Sequence, residues 1–151
     1  MEELKLKPLK VEKGNSTVYD INYHIVFCPK YRKNVLTEKI RDDLKLIFQT
    51  ITSSNLWKII EMEVMEDHVH LFISAHPKFS PTDIVKKLKG ISARQIFLKF
   101  PKFKKKEYWG GHLWSKGYFI GTVGNVTKDA IKKYIQANTK LNTQLGNSSK
   151  H

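Results

Sequence analysis

Apolar and polar residues alternate from Val18 to Cys28: Tyr19, Ile21, Tyr23, Ile25 and Phe27 fall on one face of a strand, and Asp20, Asn22, His24 and Val26 on the other. Pro29 stops the strand, and the loop Pro29-Lys30-Tyr31-Arg32-Lys33 follows. The period then changes. Ile40, Leu44, Ile47 and Ile51, with Leu46 or Phe48 at the flank, recur at helical spacing behind Thr37, a candidate N-cap, and Ser53-Ser54-Asn55 ends the helix. Trp57–Met65 alternates in part and reads as a second strand. Glu66-Asp67 turns into a third, His68–Ala75. Ser80-Pro81-Thr82-Asp83 carries an N-cap, a first-turn proline and an acid three residues on, so it opens a second helix. Its stripe is Ile84, Leu88, Ile91 and Gln95, flanked by Val85 and Ile96, and Pro101 ends it. A basic loop, Lys102–Lys106, leads to a fourth strand over Tyr118–Val123. A last helix runs from Lys128, behind Thr127, to about Thr139.

The order β-α-β-β-α-β-α is the split pattern of ferredoxin-like and RNA-recognition folds with one helix added. The expected class is α+β, an antiparallel sheet carrying packed helices, with the C-terminal helix bearing Tyr134. One domain is expected over residues 17–140. Residues 1–16, charged and ending near Gly-Asn-Ser, read as an N-terminal tail or arm, and 141–151 as a polar C-terminal tail.

Composition changes the picture in one respect. The 151 residues are 40% hydrophobic, enough for a real core, but 27 Lys and Arg stand against 14 Asp and Glu, a formal charge of +13. That excess favours a polyanionic partner, nucleic acid before an anionic membrane surface. A single cysteine, Cys28, excludes an internal disulfide and a cysteine zinc cluster, and reads as a small buried hydrophobe. No apolar run reaches the ~20 residues of a membrane span, and the N-terminus lacks the apolar stretch of a signal peptide. A soluble, cytoplasmic protein is expected, without a membrane partner.

His68-Val69-His70 is the sharpest local feature. Residues two apart on a strand share a face, so both imidazoles point one way while Val69, Leu71 and Ile73 point the other. Such a pair can chelate a divalent ion or simply line a wet sheet face. Tyr134 lies mid-helix with Asn138 one turn later on the same face, while Ile131 and Ile135 point toward packing. A phenol with a pKa of about 10 can act as a covalent nucleophile where a cation polarises a phosphate. Tyrosine, two histidines and a basic surface together suggest phosphoryl transfer on nucleic acid.

Several motifs in order then carry a resemblance. They are Tyr23-His24, Cys28-Pro29-Lys30-Tyr31-Arg32, Glu66-Asp67-His68-Val69-His70-Leu71, Ser80-Pro81, Lys87–Arg94, Trp109–Ser115, Gly121-Thr122-Val123-Gly124 and Lys133-Tyr134-Ile135. Over residues 18–140 the chain resembles the single-tyrosine HUH transposases of the insertion sequence 200/605 type. The resemblance implies a homodimer that cuts and joins single-stranded DNA at transposon ends, recognising hairpins there. It implies attack by Tyr134 to leave a 5′-phosphotyrosine and a free 3′-hydroxyl, and sites shared between subunits. It also implies Mg²⁺ or Mn²⁺ on His68 and His70.

The family's third ligand is a glutamine four residues after the tyrosine; this chain has Asn138 there, with the same amide oxygen on a shorter stem. Gln136 would project about 200° around the helix from Tyr134, so Asp67 is the back-up ligand, ahead of Glu63 and Glu66. Candidate DNA contacts are Lys30, Arg32, Lys87, Lys89, Arg94, Lys104 and Lys105, with Lys86, Lys102 and Lys106 nearby. Tyr31, Trp109 and Trp114 are candidates for stacking on bases, Trp114 equally for the core. His112 reads as structural or as a contact to the DNA backbone, and His24 and His76 have no legible partner. Two other readings stay open: a non-catalytic RNA-recognition-like binding module, which would place aromatics on the open sheet face, and an inactive remnant of a transposase, because of Asn138.

Overall fold

A computed structural model describes residues 12–13, 18–19, 21–31, 34–108, 111–122 and 130–138. Asn22–Phe27 (β3) pairs on both edges: with Val69–Ser74 (β5) on one side and Phe119–Thr122 (β6) on the other. Lys58–Val64 (β4) adds to the far edge of β5. The sheet is antiparallel throughout, in the order β4-β5-β3-β6, as the split β-α-β-β-α-β pattern requires. The N-terminal part of the first expected strand leaves this sheet. Val18–Tyr19 (β2) instead pairs with Glu12–Lys13 (β1), within the stretch read as a tail.

Alternation along the strands separates two faces. Ile25, Phe27, Val69, Leu71 and Ile73 are wholly buried, and Glu38–Ser54 (α1) and Pro81–Lys99 (α2) cover them. The buried stripe of α1 is Ile40, Leu44, Phe48 and Ile51, so Phe48 rather than Leu46 completes it; Leu46 is exposed. Thr37 is extended, as an N-cap should be, but its side chain makes no capping hydrogen bond. Ser80 does cap α2, its Oγ accepting from the Asp83 N–H at 3.0 Å. In α2 the buried stripe runs through Ile84, Val85, Leu88, Ser92, Ile96 and Phe97. The expected Gln95 is exposed and Ile91 half-buried. The stripe follows Ser92 because its hydroxyl accepts the indole N–H of buried Trp114 at 3.0 Å.

The expected basic loop is helical: Pro101–Glu107 forms α3. Pro101 ends α2 and opens α3, since at a first helical position its missing N–H costs nothing. Phe103 fixes the short helix by packing on Phe97 and Tyr108, with ring centroids 6.4 and 5.3 Å apart. Lys104–Lys106 in its last turn suit the negative end of the helix dipole. Residues 130–138 form the last described helix, α4; the expected Thr127 cap and the ends near 128 and 139 lie outside the described residues.

The segment before β6 is also zipped to β3's extension. Lys30 N–H donates to Leu113 O and Ser115 N–H to Cys28 O, both at 2.8 Å, around a Pro29–Trp114 bridge. Residues 115–117 then leave three carbonyls pointing out of the ladder, and the Lys89 ammonium takes all of them, donating to Ser115 O, Lys116 O and Gly117 O at 2.7, 3.3 and 3.1 Å. Burial lowers the Lys89 pKa to about 8, Cys28 opposing the shift.

Lys89, one of the expected DNA contacts, thus donates to three carbonyls of the chain itself. Lys89→Met should lower the melting temperature by roughly 3–12 °C, since hydrogen bonds to a charged group contribute about 1.5–3 kcal/mol and each kcal/mol moves a domain of this size by roughly 2–4 °C. The salt dependence of single-stranded DNA binding should stay as in the wild type. A salt slope reduced by about 0.7 with an unchanged melting temperature would show instead that Lys89 contacts phosphate.

Candidate functional site

The sheet face opposite α1 and α2 carries the candidate chemistry. On β5 and its N-terminal approach, His68, His70 and Phe72 occupy one side because Val69, Leu71 and Ile73 are drawn into the core on the other. This face is only partly wet: Val26, the cross-strand partner of His70, shares it and is fully buried. Asp67 fixes His68, with Nδ1 and Oδ1 2.8 Å apart. A carboxylate only accepts, so Nδ1 carries the hydrogen and the Nε2 lone pair of neutral His68 is available to a ligand. Asp67 therefore sits behind His68 in the structure, as a partner of the ring.

His70 is paired with a residue for which the sequence offers no partner. His24 Nδ1 lies 3.0 Å from His70 Nε2, and the rings stand 5.2 Å apart. His24 also stacks on Phe72, 4.1 Å between centroids and 9° from parallel. Burial lowers the pKa of His70 first, and His68 adds to the shift while Glu63 and Glu61 oppose it. Burial and then His70 lower that of His24, against Glu61. Burial thus favours the neutral form of both rings, the form that binds a metal. One face of Phe72 is taken by His24, so it does not offer that face as a stacking platform for bases.

Tyr134 comes to the same side of the sheet from α4. Its ring centroid is 6.1 Å from that of Phe119 on β6. Phe119 pairs with Val26, and Val26 with His70. The strand under Tyr134 is thus two positions from the histidine strand, about 10 Å at ordinary strand spacing. The Tyr134 hydroxyl is buried and makes no hydrogen bond of good geometry among the described residues. Burial, then Cys28, push its pKa up to about 12, and the neighbouring Asn138 amide acts in the opposite direction. Asn138 Oδ1 accepts from Ser115 Oγ at 3.3 Å, and the same hydroxyl lies 3.3 Å from Pro29 O. The hydrogen bonds of His68 and His70 run to Asp67 and His24, not to α4. Among the described residues no three His, Cys, Asp or Glu side chains converge on one point. The structure brings together the histidine pair with Asp67 and His24, and separately Tyr134 with Asn138 and Ser115.

Cys28 lies at the rim of this face. Its thiol is buried and pushed up to about 12, by burial first and Asp67 second, which makes it the inert apolar filler its sequence context suggests. The other candidates disperse. Lys87 Nζ donates to Asn55 Oδ1 at 2.9 Å, Lys104 lies over the Phe97 ring at 5.5 Å, and Arg94 and Lys105 are exposed; all four are on α2 and α3, the layer opposite the histidines. Lys30 lies over the Tyr31 ring at 4.9 Å. Trp114 is core, edge-on to Phe27 at 4.7 Å. His112 is exposed, His76 meets the edge of Tyr19 at 5.0 Å, and Arg32 and Trp109 lie outside the described residues. His24 is the residue that sequence reasoning passed over. Its signal was its parity on the first strand, which places it on the histidine face once the β3–β5 register is known.

Among the described residues no helix is long and apolar enough to cross a membrane. The family described as IS200-like transposase matches residues 17–138. The ISDra2 transposase TnpA of Deinococcus radiodurans is 46% identical over 130 residues, covering 86% of this chain and 92% of that protein. The transposase for insertion sequence element IS200 of Salmonella typhimurium is 32% identical over 132 residues, covering 85% and 86%. A crystal structure described as a transposase from Deinococcus radiodurans superposes with a TM-score of 0.76 at 40% identity, over 84% of this chain and 97% of that one. A REP-associated tyrosine transposase, solved with a REP hairpin, shares the fold at 14% identity with a TM-score of 0.51, over 81% and 67%. The matched span reaches from before the first strand of the main sheet to the end of the described tyrosine helix, and the chain belongs to the IS200-like transposase family.

Proposed function

We propose that this transposase cleaves and rejoins single-stranded DNA at transposon ends through a covalent 5′-phosphotyrosine on Tyr134. The observation that carries the reading is the common sheet face: the histidine pair on β5 and the tyrosine on α4 lie on the same side, separated by one intervening strand. The donor chemistry of that face fits a divalent ion. His68 presents Nε2 because Asp67 holds Nδ1, burial favours the neutral ring of His70, and Asn138 supplies an amide oxygen. His68, His70 and Asn138 would hold the ion, and Mg²⁺ or Mn²⁺ there would supply positive charge to the scissile phosphate. Asp67 is assigned to orienting His68 rather than to ligation.

In cleavage, Tyr134 Oη bonds to phosphorus and the P–O3′ bond breaks. The phenol loses its proton, and the 3′-oxygen leaves and takes one up. Rejoining reverses these exchanges, so no nucleotide cofactor is consumed. In the docked position the phenol is buried and its pKa raised to about 12, unfavourable for attack near neutral pH. The gap of about 10 Å between the strands under His70 and Tyr134 suits sites completed by the α4 of a second copy. The net charge of +13 draws in the DNA. The recognised DNA is a hairpin near each end, and the basic contacts are Lys30, Arg32, Lys87, Arg94, Lys104 and Lys105, while Lys89 serves the fold.

Incubation with labelled single-stranded DNA from the flanks of its own locus and Mn²⁺ should give a slow-migrating adduct on a denaturing gel. Tyr134→Phe keeps the ring against Phe119 and should abolish the adduct with little change in binding; an adduct that persists would place the nucleophile elsewhere. His68→Ala and His70→Ala should each reduce cleavage at least a hundredfold without loss of fold, and normal cleavage in both would remove the metal assignment. Asn138→Gln should retain or raise activity and Asn138→Ala lower it. For shared sites, mixing Tyr134→Phe with His68→Ala protein should restore part of the activity that each lacks. A mixture as inactive as its components, from a protein monomeric even with DNA bound, would mean that each chain works alone.

A further inference from the structure

The contact between His24 and His70 has a direction that decides whether His70 can bind an ion at all. Each neutral imidazole has one N–H and one lone pair, so across the 3.0 Å contact one ring donates and the other accepts. If His24 donates from Nδ1, the His70 Nε2 lone pair is consumed. If His70 donates from Nε2, its Nδ1 lone pair is free. Metal-binding histidines ordinarily give their other N–H to a neighbouring acceptor, which fixes tautomer and ring orientation. His68 already follows that rule through Asp67.

We infer that His24 is a positioning residue for the metal site, accepting the Nε2–H of His70 on its own Nδ1 and so holding the His70 Nδ1 lone pair ready for a divalent ion. Three features of the fold fit His24 for the task. β3 pairs with β5 so that His24 faces Phe72 and lies diagonal to His70, on the same side of the sheet. The parallel stack on Phe72 at 4.1 Å holds the His24 ring plane. On the opposite strand its partner is Gly121, whose lack of a side chain keeps that flank clear. The two histidines of the pair are then braced differently, His68 by an adjacent carboxylate and His70 by a neutral ring from the neighbouring strand.

This inference rests on the metal reading above, and its test separates the two. The full-length protein is used in three forms: wild type, His24→Phe, which keeps a flat ring on Phe72 but no nitrogen, and His24→Asn, whose side-chain oxygen can accept near the position of Nδ1. Long-range proton–nitrogen spectra of histidine-labelled, metal-free protein should show His70 as the Nε2–H tautomer in the wild type, and a mixture in His24→Phe. Titration with Mn²⁺ alone should show affinity falling about 10- to 100-fold in His24→Phe and largely recovering in His24→Asn. Pulsed electron-spin measurements on bound Mn²⁺ should count the same coordinating nitrogens in wild type and His24→Asn.

An Nδ1–H tautomer for His70, or unchanged Mn²⁺ affinity in both variants, would overturn the role of His24. One coordinating nitrogen fewer in His24→Asn would overturn it too, making His24 a ligand. Failure of the wild type to bind Mn²⁺ with the Nε2–H tautomer in place would overturn the metal reading itself, and with it the purpose assigned to His24.

Discussion

The molecule depends on the register of one strand. β3 is hydrogen-bonded on both edges, and its alternate residues serve different layers: Ile25 and Phe27 complete the core under α1 and α2, while His24 and Val26 belong to the opposite face. A slip of one residue would put His24 into the core and Phe27 onto the histidine face. The fully buried Ile25, Phe27, Leu71 and Ile73 exclude that slip, because each would have to be exposed or exchanged for a polar group. The same apolar burial that holds the sheet together therefore aims His24, His70 and Phe72 at one another.

Burial also governs the chemistry of the opposite face. It lowers the basicity of His24 and His70 and raises the pKa values of Tyr134 and Cys28. For the histidines this favours the neutral ring; for the tyrosine it disfavours the phenolate. One environment thus acts in opposite senses on the histidines and the tyrosine, which fits the proposed division between a metal-holding pair on β5 and a nucleophile carried on a separate helix. Ser115 lies between the two halves of the framework, its one hydroxyl hydrogen shared between Pro29 O on the strand extension and Asn138 Oδ1 on α4, each at 3.3 Å, and Lys89 secures the loop that begins at Ser115.

Membership of the IS200-like family places these residues in a transposase, and the fold shows how the charge is distributed around the site. Lysines that look equivalent in sequence have different duties. Lys89 is bound to three carbonyls, Lys87 caps an asparagine and Lys104 lies over an aromatic ring, whereas Lys105 and Arg94 face solvent. Charge excess by itself favours a polyanionic partner; it does not say which ammonium groups remain available to one.

The sequence by itself determined the element order, the α+β class, the shared face of His68 and His70 and the pairing of Tyr134 with Asn138 one turn on, because strand and helix periods fix which side chains are neighbours along a single element. It also carried the family resemblance, through motifs spread over most of the chain. It missed α3, where lysine density resembled a loop and Phe103, packed against Phe97 and Tyr108, supplied the anchor. It could not choose between Leu46 and Phe48, or foresee that Trp114 would draw the α2 stripe toward Ser92. Nor could it place His24 beside His70, set the Asp67 carboxylate against His68 Nδ1, or bring Lys89 to the carbonyls of Ser115, Lys116 and Gly117. Each of those depends on which strands lie side by side and in what register, and that is set by the burial of the whole core, which no local pattern contains.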